Sequence, residues 1–148
     1  MIGLILGFRI RRNNAVMSSS SLTERIIGAA IDVHRELGPG FLEAIYEEAL
    51  CVALADAGIP FKRQLVVPIR FRRREVGEHR LDLLVQDEVV VELKAITTLT
   101  DIHFATLRSY LKATNRDVGL LLNFAASTLT VKRVGREWFG HTDAGHPQ

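Results

Sequence analysis

The sequence predicts a single α/β domain, and three observations carry that expectation. Apolar residues recur at helical spacing in two segments before residue 58. The periodicity then switches to two from Phe61 onward. A third helical segment is followed by an almost wholly apolar run, Val118 to Leu122, which reads as a buried strand. The chain has 148 residues, 47% of them apolar and 24% charged, enough for one core and too apolar for a disordered chain. No apolar run approaches the ~20 residues of a membrane-spanning helix. One cysteine, Cys51, excludes an intrachain disulfide and a Cys-based zinc site, and suits a reducing compartment.

The first twenty residues differ from the rest. A short apolar segment, Ile2 to Phe8, precedes Arg9, Arg11 and Arg12 and then a run of serines. A secretory signal places its charges before the apolar stretch, so residues 1–20 read as a disordered extension, with Met17 as an alternative start and a cytoplasmic location as the default. The ordered domain is expected over 21–135 and a frayed tail over 136–148. Ser21-Leu22-Thr23-Glu24 has the spacing of a capping box. Leu22, Ile26, Ala30, Val33 and Leu37 then mark the first helix, which Gly38-Pro39-Gly40 ends. The second helix runs from Phe41 to Ala57, with Leu42, Ile45, Ala49, Leu50, Ala53 and Leu54 facing inward.

Phe61 to Phe71 alternates as a strand, and Pro68 assigns it to a sheet edge. Arg72 to Gly77 reads as a turn. His79–Val85 and Val89–Ala95 are the next strands, joined through Gln86-Asp87-Glu88. Asp101 to Ala113 is the third helix. Asp117–Phe124 and Thr128–Val134 are the last strands, and there are no internal repeats. Trp138 and Phe139 in the tail would cap the core or bind a partner.

Three charged residues stand inside apolar strands: Asp82 in Leu81–Val85, and Glu92 and Lys94 in Val89–Ala95. Residues two apart on a strand share a face, so Glu92 and Lys94 project together. A three-residue loop over 86–88 would set Asp82 opposite Glu92 and Arg80 opposite Lys94, whereas a two-residue loop would put the carboxylates on opposite faces. Carboxylates buried beside a lysine are costly unless they pair or bind a cation. Hard oxygen ligands suit Mg²⁺ or Mn²⁺, and a lysine beside such an ion orients water and meets phosphate charge. An Asp–Lys or Glu–Lys ion pair on a solvated face is the alternative that spacing alone leaves open.

Gly40-Phe41-Leu42-Glu43-Ala44-Ile45-Tyr46 resembles the motif of the GxxExxY proteins, which belong to the PD-(D/E)XK nuclease-like superfamily. The likeness extends over His34–Glu43, Asp82, Val91-Glu92-Leu93-Lys94-Ala95, Tyr110–Thr114 and Gly119–Phe124. It implies a restriction-endonuclease-like core, α-βββ-α-β, with a mixed central sheet flanked by helices and an extra N-terminal helix. It also implies a metal-dependent phosphodiesterase acting on DNA or RNA. Asp82, Glu92 and Glu43 would bind Mg²⁺ or Mn²⁺, and Lys94 would position the attacking water beside Asp82 and Glu92. Tyr46, one turn beyond Glu43, would share its face and contact substrate, together with Arg80, Thr106 and Tyr110. The family carries glutamine four residues before the tyrosine of the third helix; here that residue is Thr106, which is shorter. A catalytically silent binding or assembly module on the same fold is the second expectation, and a homo-oligomer is compatible with either.

Arg70, Arg72, Arg73 and Arg74 form a basic cluster at a turn, suited either to phosphate or to solvent. The five histidines show no ligand spacing, though His79 and His103 flank the site segments. The net charge of +2 is weak support for a nucleic-acid partner, because Arg9, Arg11 and Arg12 contribute to it. Its distribution is more telling. Residues 17–60 hold 2 basic and 7 acidic side chains, while residue 61 onward holds 14 basic and 10 acidic.

Overall fold

In the computed structural model, residues 21–136 are described. The disordered extension expected over 1–20 and the tail with Trp138 and Phe139 lie outside the described residues.

Helix α1 covers residues 21–37 and buries Leu22, Ile26, Ala30 and Val33, the spacing read from the sequence. Gly38 (φ 70°) and Gly40 (φ 108°) then take left-handed angles that turn the chain into α2, Glu43–Asp56. The buried face of α2 is Tyr46, Glu47, Leu50, Cys51 and Leu54. Leu42 (75% exposed) and Ile45 (42% exposed) are outside the core, which corrects the inward placement expected for them. Leu42 is the residue before the first helical turn, so it is not yet on a helix face.

Five strands follow: β1 (Phe61–Phe71), β2 (Arg74–Val85), β3 (Val89–Lys94), β4 (Val118–Asn123) and β5 (Thr130–Gly135). They form one sheet in the order β1-β2-β3-β4-β5. Only β3 and β4 are parallel, as they must be when helix α3 (Asp101–Thr114) crosses over between them. Helices α1 and α2 cover one face, where Ile26, Tyr46 and Leu50 pack with Val91, Leu93 and Leu120. Helix α3 covers the other, where Leu107 and Leu111 pack with Leu84, Val90 and Leu121. Both faces are closed, which explains the continuous apolar runs in β3 and β4.

Two departures shape the site. The turn expected over 72–77 is only Arg72-Arg73, with φ of 48° and 66°, and β2 starts at Arg74. Two consecutive left-handed residues make a tight hairpin, yet Arg-Arg lacks the Asn-Gly signature that reveals such turns in sequence. The second is a twist. Leu83 faces the α1/α2 core while Leu81 faces the α3 core, although a regular strand keeps both on one side. The switch falls at Asp82 and at Gln64 across from it, whose φ is 50°.

Among the described residues no helix is long and apolar enough to cross a membrane.

Candidate active site

The β2–β3 register decides whether the carboxylates meet. Val85 pairs with Val89, Leu84 with Val90 and Leu83 with Val91, so the loop is the three residues 86–88. The next positions are Asp82 and Glu92, and here side chains replace the backbone ladder. The Asp82 N–H donates to Glu92 Oε1 (3.1 Å), and the Leu93 N–H donates to Asp82 Oδ2 (2.9 Å). Each carboxylate accepts one strand N–H from its neighbour, which leaves its second oxygen off the backbone.

The field at this point is unusual. Glu92 is 6% exposed, and burial first, then the Asp82 charge, push its pKa up to about 9. Asp82 is also raised by burial, against the opposing effects of the Leu93 N–H and Lys94. Glu43, from the first turn of α2, is raised by burial and by the charges of Asp82 and Glu47, while Lys94 lowers it. The Lys94 ammonium therefore acts on Glu43, Asp82 and Glu92 alike. Among the described residues the ion pairs are Arg63 with Glu47 and Glu48, Arg116 with Asp87, and Arg136 with Asp117. None involves those three carboxylates or Lys94, so the ion-pair alternative left open by spacing does not describe this place.

The remaining expected residues divide. Tyr110 is half-buried on α3, and its phenol is raised by burial and then by Glu92 and Asp82, so it faces the carboxylates. Arg80 is exposed on β2, two residues from Asp82. Thr106 donates its hydroxyl hydrogen to Ile102 O (2.8 Å) in its own helix. It retains only acceptor capacity, which a phosphate oxygen cannot use. Tyr46 is wholly buried, and its hydroxyl donates to Gly38 O (2.6 Å) and accepts from the Phe41 N–H (3.1 Å). Its ring stacks on Phe124 with centroids 4.5 Å apart. Tyr46 holds the turn that delivers Glu43 and offers no group to substrate, which corrects the contact expected for it.

Several supporting residues were not anticipated. Glu47, 7% exposed and one turn beyond Glu43, accepts from Arg63 Nε (2.9 Å) and Gln64 Nε2 (2.6 Å). It thus anchors the twisted residue opposite Asp82. Buried Asn123, the β4 neighbour of Lys94, accepts from the Ile96 N–H (3.1 Å) and donates to Ile96 O (2.8 Å), fixing the chain just after Lys94. A polar residue closing the apolar run Leu120–Leu122 was the available signal. His79 packs edge-on against Tyr110 with centroids 4.4 Å apart and hydrogen-bonds Ser109 Oγ (3.1 Å). His103 instead caps α3, accepting the Thr100 N–H at Nδ1 (2.9 Å).

Glu43, Asp82 and Glu92 suit a hard divalent cation in donor type, all being carboxylate oxygens, and in charge. Among the described residues no three carboxylate, imidazole or thiolate groups stand ready-made as a cage.

A mixed sheet covered by helices on both faces, with a twisted hairpin presenting Asp82 against an E-x-K strand, defines a restriction-endonuclease-like α/β protein. The pattern of the PD-(D/E)XK nuclease superfamily matches residues 20–134, and the chain belongs to that superfamily. No curated protein matches the chain. Among solved structures it is similar to the crystal structure of SSO0001, with a TM-score of 0.51 and 14% identity over 66% of this chain. The match spans 51% of the length of that protein, and at this identity it bears on fold alone.

Proposed function

We propose that the protein is a Mg²⁺- or Mn²⁺-dependent nuclease-like hydrolase of phosphodiester bonds in DNA or RNA, of the GxxExxY type. The observation that carries the reading is the carboxylate set itself. Glu43, Asp82 and Glu92 are raised by burial, share the field of one lysine and make no ion pair among the described residues. Those three carboxylates would hold the cation. When bound, such an ion supplies Lewis-acid polarisation of a phosphoryl oxygen and a more acidic water. Lys94 projects from the same strand face as Glu92, where its N–H donors orient the attacking water and meet charge building on the phosphate. Tyr110, which faces the carboxylates, and Arg80, two residues from Asp82 on β2, are the substrate contacts of the reading.

The test is incubation with single- and double-stranded DNA and RNA in Mg²⁺ and in Mn²⁺, beside Asp82→Ala and Lys94→Ala. Metal-dependent cleavage lost in both variants supports the proposal; cleavage retained in both sinks it. A catalytically silent binding module is the second reading. It is favoured by the bracing of Asp82 and Glu92 against each other's strands and by the Thr106 hydroxyl turned into its helix. Calorimetry separates the two, since heat of Mg²⁺ or Mn²⁺ binding that disappears in Asp82→Ala belongs to the first alone.

A further inference from the structure

The β1–β2 hairpin does more than supply Asp82. Strand β3 pairs with β2 over Leu83–Val85, so most of the hairpin is a two-stranded arm. Its distal end carries Arg70, Arg72, Arg73 and Arg74 beside Phe71 and Val76, which are 62% and 63% exposed. The acidic residues here, Glu75 opposite Arg70 and Glu78 opposite Pro68, are exposed, and no ion pair forms at the arm's distal end among the described residues.

The same end also carries backbone strain. Arg72 and Arg73 both occupy left-handed conformations (φ 48° and 66°), where glycine and asparagine are the undemanding choices. The Arg72 guanidinium lies 5.1 Å from the Phe71 ring centroid. Between Ile69 and Arg70 the register slips, so that Val76 is an extra residue in β2. Bulges of this kind re-aim side chains, and Arg70 lines a cleft of about 560 Å³ with Ile69, His79, Ser109 and Lys112. Ser109 gives its hydroxyl hydrogen to Thr106 O (2.6 Å), so His79 Nε2 is the donor in their contact. Lys112 and Arg70 line this cleft from α3 and β1. Beside it stands Tyr110, the ring that packs on His79 and faces Asp82 and Glu92.

We propose that the arginine-tipped β1–β2 arm and the Arg70–Lys112 cleft between it and α3 bind the phosphodiester backbone of a nucleic acid and lead it to the carboxylate cluster. The ligand class rests on the function proposed above; the location rests on charge and geometry. A carboxylate cluster repels a polyanion, and a basic track reaching it past His79 and Tyr110 offsets that repulsion with point contacts to phosphates. The guanidiniums at the tip need no base-edge geometry for this role, which fits a strained turn held in solvent.

The experiment is fluorescence anisotropy of the full chain with a fluorescein-labelled oligonucleotide as single-stranded DNA, duplex DNA and RNA. It is run in EDTA, so that binding is read apart from cleavage. Arg70→Ala with Lys112→Ala should weaken binding about ten-fold or more and flatten the salt dependence. On duplex DNA the slope of log K against log salt should fall by about 2, at roughly 0.9 for each phosphate no longer neutralised. Arg72→Asn with Arg73→Gly carries the sharper test. It installs the favoured hairpin turn, so the melting temperature should rise while nucleic-acid affinity falls. A merely structural turn would move the first and leave the second alone. Unchanged affinity in both double variants overturns the proposal, as does a wild-type chain that binds phosphatidylserine vesicles and none of the three oligonucleotides. Weakened binding in the variants of a protein that never cleaves would keep the arm and defeat the hydrolase reading.

Discussion

The Tyr46 hydroxyl clamps the turn that leads into α2, and Tyr46→Phe isolates that clamp. The substitution keeps the ring stacked on Phe124 and deletes one oxygen, together with its bonds to Gly38 O and the Phe41 N–H. A buried polar group stripped of its partner costs roughly 1–3 kcal/mol. Here the orphaned groups belong to a half-buried glycine and an exposed phenylalanine, so water replaces part of what is removed. The expected cost is therefore about 1–2 kcal/mol in total. For a domain of this size each kcal/mol is worth about 3–5 °C, which sets the fall in melting temperature at roughly 3–10 °C. Urea denaturation gives the free energy, and calorimetry with Mg²⁺ and anisotropy with an oligonucleotide give function on the same samples. A variant within about 0.5 kcal/mol of wild type refutes the clamp. So does unchanged stability with abolished nucleic-acid binding, since the hydroxyl would then belong to the substrate face after all.

Other substitutions probe the layers behind the site. Asn123→Ala removes two buried bonds to Ile96 and should cost about 2–4 kcal/mol in urea denaturation, with Lys94-dependent activity falling more than Mg²⁺ affinity. Gly119→Ala brings a methyl to 3.0–3.1 Å from three Leu107 carbons, and should cost about 1–3 kcal/mol where α3 meets β4. Arg63→Ala leaves Glu47 buried with Gln64 as its partner, and should cost about 2–4 kcal/mol, while Arg63→Lys recovers only part because it cannot serve Glu47 and Glu48 together. Cys51 is buried, and burial pushes its thiol above the ordinary value of 9.0. Dithionitrobenzoate at pH 8 should label it slowly in the folded protein and quickly in urea. The folded chain holds that proton more tightly than the unfolded one, so stability is lost as pH rises past 9.0.

The helices and the inner strands are legible in the sequence because their physics is local. Apolar spacing marks α1, and a polar loop is recognisable between the apolar runs of β2 and β3, but its length of three residues, which sets Asp82 opposite Glu92, comes from the register. Three features resist for distinct reasons. Arg72-Arg73 hides a tight turn because arginine carries no left-handed preference. Tyr46 and Glu43 are expected on one helical face, but three residues are about 300° of rotation, and that offset buries the ring wholly while leaving the carboxylate half-buried. The twist at Gln64 and Asp82 has no signature at all, because alternation in β1 runs unbroken through it while the faces exchange.

That exchange also explains how one helix holds an ion-paired carboxylate and, a turn away, one with no ion pair among the described residues. Glu47 points to the stretch before the twist, where Arg63 and Gln64 each donate one hydrogen bond to it. Glu43 reaches the stretch beyond the last β2–β3 pairs, where Lys94 is the cation and Asp82 is a competitor for it. The fold does not lack arginines: it assigns Arg63, Arg116 and Arg136 to Glu47, Glu48, Asp87 and Asp117, and sends a cluster of four to the arm. Three carboxylates are left leaning on a single ammonium, and burial with the Asp82 charge pushes Glu92 up to about 9. A site built for stability would have exchanged one of them for an amide. Retaining all three fits the proposed hard divalent cation, which would set two positive charges at one point among them.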